Sequence, residues 1–120
     1  MNCPMCKKEN ITERVIKHTP ELKGENLTIY SNGYLCDACD FTWTSDEQMA
    51  ELRQKAADEY RRIHGLLTSQ DIEQMRSSLE MSQDEFAQYV DVGLTSIKRY
   101  ESYKIQDISV DRLIRQKMNL

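Results

Sequence analysis

Residues 81–101 read Met-Ser-Gln-Asp-Glu-Phe-Ala-Gln-Tyr-Val-Asp-Val-Gly-Leu-Thr-Ser-Ile-Lys-Arg-Tyr-Glu, a run that carries two short helices and a tight turn between them. Ser82 with Glu85 three residues later has the spacing of a capping box, opening a helix with Phe86, Ala87 and Val90 on its apolar side. Asp91-Val92-Gly93 supplies the turn, after which Leu94, Ile97 and Tyr100 recur at helical spacing. Ala87 is small enough to let the second helix approach the first. With Ile97 and Tyr100 turned to the core, Leu94, Thr95, Ser96, Lys98 and Arg99 are left to point outward, as in a helix-turn-helix. Those residue types suit base readout, because Thr and Ser bond base edges or phosphate and Arg pairs bidentately with guanine. Gln83, at the start of the preceding helix, is placed to bond a phosphate. Charge alone would leave Lys98, Arg99 and Lys104 as ordinary solvated side chains, so the order of small, apolar and polar positions carries the reading.

Working outward, Thr68 or Ser69 starts a helix containing Ile72, Met75 and Leu79, and Ser109 opens a last one with Val110, Leu113 and Ile114. Upstream, Ser45 and Gln48 have a second capping-box spacing. The pattern Met49, Leu52, Ala56, Tyr60 then runs to about His64, where Gly65 can close the helix. From Ile11 to Tyr34 the chain is rich in β-branched and aromatic residues punctuated by Pro20 and Asn32-Gly33, which predicts short strands and turns. The expected architecture is an α+β chain in two parts. A zinc-ribbon-like β module covers 1–45, a linker helix 46–67, and an all-α helix-turn-helix domain 68–120.

All four cysteines lie in the first part, as Cys3-Pro4-Met5-Cys6 and Cys36-Asp37-Ala38-Cys39, two C-x2-C knuckles with 29 residues between them. Each knuckle sets two thiolates on one side of a tight turn, and two knuckles brought together by a hairpin make a closed tetrahedral sulfur site that suits structural Zn2+. Such a site has no open position for a catalytic water, and neither His18 nor His64 has a ligand spacing that would draw it in. An iron-sulfur centre is the main competing reading. Redox pairs would need a βαβ context that the sequence does not offer, and disulfides an oxidising compartment. A module this short needs a staple, since a hydrophobic core alone is marginal at that size. Phe41 and Trp43 are read as packing over the metal module, while Tyr30 and Tyr34 are either core residues of the strands or mark a strand surface where a protein partner would dock.

The net charge of −4 argues against a generic polyanion binder. Residues 68–120 hold seven Lys or Arg against nine Asp or Glu, so a DNA-binding face must come from local clustering and its salt dependence should be modest. No apolar run reaches the roughly 18 residues of a membrane span and Met1–Asn10 lacks an apolar signal core, so a cytoplasmic location without membrane contact is expected. No nucleophile–base pair, glycine-rich phosphate loop or carboxylate pair within one motif suggests an enzyme.

Ser82-Gln83-x-x-Phe86-Ala87 followed by Val92-Gly93-x-x-Ser96-Ile97-x-Arg99-Tyr100-Glu101 resembles the Xre/Cro type of helix-turn-helix. Preceded by the two knuckles and a linker helix, the whole chain resembles the MqsA antitoxin family, also described as YgiT-type zinc finger proteins. The resemblance implies a type II toxin-antitoxin antitoxin. Its zinc module would bind a ribonuclease-like toxin, and its helix-turn-helix would bind double-stranded operator DNA, as a homodimer, and repress transcription. By position it makes Cys3, Cys6, Cys36 and Cys39 the zinc ligands and Arg99 a base-contacting residue. Thr95 stands where the family has Asn, which implies a different operator sequence, because Asn reads adenine in a way Thr cannot. Ser102-Tyr103 stands where Gly is common, which implies a differently shaped loop or another contact. The alternative is a stand-alone regulator, of phage or mobile-element origin, whose zinc module braces the fold or binds another protein.

Overall fold

The computed structural model describes residues 1–120, an α+β chain with five strands followed by five helices. It divides into two compact units, Met1–Ala56 and Ala57–Leu120, each described here by itself.

In the first unit, β1 (Ile11–His18) leads into a small hairpin of β2 (Glu21–Leu22) and β3 (Glu25–Asn26), and β4 (Ile29–Cys36) returns antiparallel to β1. The register runs from Ile11 opposite Cys36 to His18 opposite Ile29. β5 (Thr42–Trp43) pairs with the other edge of β4, giving the order β1-β4-β5. The reversal falls at Lys23-Gly24, both with positive φ (51° and 82°), the left-handed pair that a two-residue hairpin loop requires.

Asn32-Gly33 was expected as turn punctuation, but it lies inside β4, opposite Val15 and Arg14. The reason for glycine there is steric. A Cβ on Gly33 would stand 2.7 Å from Cδ1 of Ile16 and 3.2 Å from the Trp43 carbonyl oxygen. Strand β4 alternates accordingly, with Ile29, Ser31 and Gly33 buried and Tyr30 exposed.

Helix α1 (Asp46–Ile63) starts as its sequence predicts. Gln48 N–H donates to Ser45 Oγ at 3.1 Å and Ser45 N–H to Gln48 Oε1 at 2.9 Å, satisfying two orphan amides. Acidic Asp46 and Glu47 at its start and basic Arg61 and Arg62 at its end match the helix dipole. Gly65, at φ 69°, ends the segment. The expected separate linker over 46–67 differs from the observed division, which falls within α1 between Ala56 and Ala57. Lys55 donates to the Tyr30 carbonyl of the first unit, whereas Asp58 and Arg61 bond only into the second.

The second unit contains α2 (Ser69–Ser78), α3 (Gln83–Val90), α4 (Leu94–Tyr100) and α5 (Ile108–Lys117). Reciprocal capping boxes begin α2 (Thr68 with Asp71) and α3 (Ser82 with Glu85). Helix α5 begins after Asp107, two residues before the expected Ser109. Leu67, Ile72, Phe86, Ala87, Val90, Ile97 and Ile114 form one buried core. Each large member contributes about 1.5–3 kcal/mol by leaving water. No helix is long and apolar enough to cross a membrane.

Candidate metal centre and nucleic-acid interface

The two knuckles are built alike from the backbone up. In the first, Cys3 N–H donates to the Lys8 carbonyl and Lys7 N–H returns to the Cys3 carbonyl, with Lys7 at φ 66°. In the second, Cys36 N–H donates to Phe41 and Asp40 N–H to Cys36, with Asp40 at φ 62°. Asp37 N–H bonds the Asn10 carbonyl at 2.8 Å and, with the β1–β4 register, joins the two turns. All four Sγ atoms lie within 4.8 Å of one another, with Cys3–Cys39 at 3.6 Å and Cys6–Cys36 at 3.5 Å, and no disulfide forms. Phe41 stacks on Trp43, and Trp43 contacts Tyr34.

Four thiols this close are a donor set that could hold a cation. Burial works against ionising Cys3, but the amides of Cys6 and Met5 and the neighbouring thiols point hydrogen-bond donors at its sulfur and draw its pKa down to about 6. The Phe41 amide favours the Cys39 thiolate. Burial and the hydrogen bonds to Cys3, Cys36 and Cys6 outweigh it and push Cys39 up to about 12. Four sulfurs this close cannot all ionise unless a metal ion neutralises them, and together they can hold one.

In the second unit the turn between α3 and α4 is made by Asp91 in the left-handed region (φ 59°, ψ 44°), while Val92 N–H donates to the Ala87 carbonyl at 2.9 Å. Gly93 caps α4 with an ordinary φ of −63°, so the positive φ of this turn is carried by Asp91. Ala87 is buried at the helix crossing, and Ile97 is fully buried. Thr95, Lys98 and Arg99 are exposed along one side of α4, and Ser96 is half-buried. Gln83 lies in the first turn of α3 and is half-buried as well. Leu94, expected to point outward, instead packs half-buried against the core with Tyr100, because it stands three residues before the buried Ile97 and so shares its side of the helix. The exposed residues border an open concavity of about 590 Å³ that Ser102, Tyr103 and Lys104 complete.

The family model for the antitoxin component of bacterial toxin-antitoxin systems, MqsA, matches residues 1–117, taking in both the four cysteines and all of α2 to α5. The chain belongs to the MqsA antitoxin family. No curated protein matches it.

Two arginines that were not read from the sequence fix α4 of this MqsA family member. Arg76 on α2 forms a forked ion pair with Glu101, just after α4, at 3.0–3.3 Å, and donates to the Met81 carbonyl at 3.2 Å. Glu101 is almost wholly buried and Arg76 largely so, which makes this pair less screened than a surface bridge. Arg61 is fully buried. Its Nε donates to Gln106 Oε1 at 3.0 Å, and its two terminal nitrogens donate to Asp58 at 2.9 Å and to the carbonyls of Tyr100, Ser102 and Lys104 at 2.9, 3.1 and 2.7 Å. All five guanidinium donors are thereby used. The network continues through Gln106 to Asp111, which accepts from the Leu67 amide at 2.8 Å and pairs with Arg115 at 2.8 Å. The one sequence signal for Arg61 was Asp58 three residues before it, a spacing shared by many ordinary exposed ion pairs on helices.

Proposed function

We propose that this antitoxin-family chain binds operator DNA through α4 and represses transcription from it, while the first unit binds a ribonuclease-like toxin and carries a structural Zn2+. The observation that supports DNA readout best is the two-sidedness of α4: Ile97 is anchored in the core and Thr95, Lys98 and Arg99 are exposed on the other side. Ser96 and Gln83 flank this face as candidate phosphate or base-edge contacts, and Leu94 has only its exposed edge to offer a thymine methyl. Cys3, Cys6, Cys36 and Cys39 would hold the metal. A tetrahedron with Zn–S bonds of about 2.3 Å has edges of about 3.8 Å, close to the shorter sulfur separations above. With four thiolates the ion would have no open position, so its part is to stabilise the fold. The chain would act in the cytoplasm, as a homodimer on a palindromic operator.

The test is binding to the DNA upstream of the protein's own gene. Arg99→Ala is expected to weaken operator binding by about 1–3 kcal/mol with unchanged helix content. Unchanged operator affinity would remove α4 from the readout. Purification from the host with metal analysis addresses the remainder. Zinc together with a co-purifying small ribonuclease supports the antitoxin reading; zinc and promoter DNA without a toxin would favour a stand-alone regulator, and iron would overturn the metal assignment.

A further inference from the structure

The concavity beside α4 has three cations on its wall, Lys98, Arg99 and Lys104, together with Thr95, Ser102 and Tyr103, and no acidic residue. Only half of that wall belongs to the recognition helix. The other half is the loop after Glu101, with Ser102, Tyr103 and Lys104. This loop is held firmly in the second unit. The amides of Ser102 and Lys104 both donate to the Arg99 carbonyl, at 3.0 and 3.2 Å, folding the loop back on the helix. From beneath, the buried Arg61 takes the carbonyls of Tyr100, Ser102 and Lys104, and Ile105 and Gln106 are buried immediately afterwards. With its backbone turned inward onto Arg61, the loop leaves the side chains of Tyr103 (54% exposed) and Lys104 on the outside, next to the concavity. A phenol and an ammonium on a fixed backbone, beside two further cations, suit the oxygens of a phosphodiester.

We infer that Lys104, assisted by the Tyr103 hydroxyl, is a DNA-backbone phosphate site that extends the footprint of α4 by one contact and fixes its register, with Arg61 as the positioning residue that sets the loop. This rests on the DNA-binding reading above. A phosphate contact differs from base readout in two measurable ways. It weakens binding to all sequences alike, and it changes the salt dependence, since each phosphate neutralised adds about 0.9 to the slope of log K against log salt.

The experiment is a fluorescence-anisotropy titration of the full-length protein on its own upstream duplex and on a scrambled duplex, from 50 to 200 mM salt. The proteins are the wild type, Lys104→Gln, Tyr103→Phe and Arg99→Ala. Lys104→Gln is expected to lower the magnitude of the salt slope by about 0.9, so that its loss over this range is about threefold smaller than the wild type's. It should weaken both duplexes equally and leave the operator-to-scrambled ratio unchanged. Tyr103→Phe should weaken both by a smaller factor with the slope retained, and Arg99→Ala should reduce the ratio. A wild-type slope in Lys104→Gln overturns the phosphate site even when Arg99→Ala behaves as expected. A changed ratio in Lys104→Gln overturns it as well, making Lys104 a base reader. Absence of DNA binding by the wild type overturns the underlying reading instead, and this site with it. Lys104 is exposed, and an unchanged melting midpoint for its variant shows that any loss arises at the DNA.

Discussion

Arg61 offers the sharpest test of how the second unit is held together. Its side chain is 0% exposed and each of its five N–H donors has an acceptor, three of them main-chain carbonyls of Tyr100, at the end of α4, and of Ser102 and Lys104 in the loop after it. Arg61→Met keeps much of the apolar stem but strands those carbonyls, Gln106 and Asp58. Breaking a buried pair by removing one partner costs about 3–5 kcal/mol, a large part of the stability of a small domain. Arg61→Lys retains the charge with three donors for five acceptors. At about 1–3 kcal/mol for each group left unpaired, partly relieved by water, a loss of about 2–4 kcal/mol is expected. Urea denaturation followed by far-UV circular dichroism, with metal in excess, gives the comparison. With m near 1–1.5 kcal/mol/M, the Met variant should shift the midpoint of the second unit by roughly 2–5 M. A cycle with Asp58→Asn separates the sources. Asp58 is 25% exposed and also accepts from the Ser69 amide and hydroxyl, so its coupling to Arg61 should be only about 1 kcal/mol, the carbonyls carrying the rest. A loss below about 1 kcal/mol in Arg61→Met would refute the reasoning. It would mean that water reaches the carbonyls and that the guanidinium is replaceable by packing.

Three further outcomes follow from the same geometry. Gly33→Ala should lower the stability of the first unit by about 1–3 kcal/mol in thermal melts, because Ile16 can rotate away from the new Cβ but the Trp43 carbonyl is main chain; an unchanged melting temperature would show that β5 shifts freely. Cys36→Ser, or chelation of the metal, should unfold mainly the first unit, seen as a shift in Trp43 emission while the helical signal of the second unit persists; an ordered first unit without metal would end the metal assignment. Burial alone would raise the Asp111 pKa, but the Leu67 amide, Arg115 and Gln106 outweigh it and hold it below its ordinary value of 3.8. Its contribution to stability is therefore present above pH 3.8 and lost as pH falls through the lower folded value. Accordingly, Asp111→Asn should be less stable than the wild type at pH 7, and the gap should close in acid; a gap constant with pH would contradict the assignment.

The elements whose cause is local were legible in the chain itself. Capping boxes at Ser45 and Ser82, Gly65 at a helix end, and the Ala87–Ile97–Tyr100 spacing each depend on interactions within a few residues, so the start of α1 and the α3–turn–α4 sequence follow from them. The cysteine cluster was legible for another reason: the chemistry of a knuckle is written in its spacing, and any hairpin that joins the two pairs completes the site. Only the tertiary structure decided what depends on distant partners. Asn32-Gly33 looks like a turn until β1 and β5 flank it and Ile16 and the Trp43 carbonyl occupy the space a side chain would need. Leu94 shares the spacing of Ile97 and Tyr100 yet stands in the first turn, where an outward, ligand-facing role is equally open, and only the docking of α4 against the core puts it inside. Arg61 and Arg76 look like ordinary helix-surface charges, because their acceptors lie up to 45 residues away and a buried donor is recognised only once those acceptors converge on it. Short-range hydrogen bonding and periodicity are properties of the sequence, whereas close approach and the burial of a charge arise only when the elements are packed.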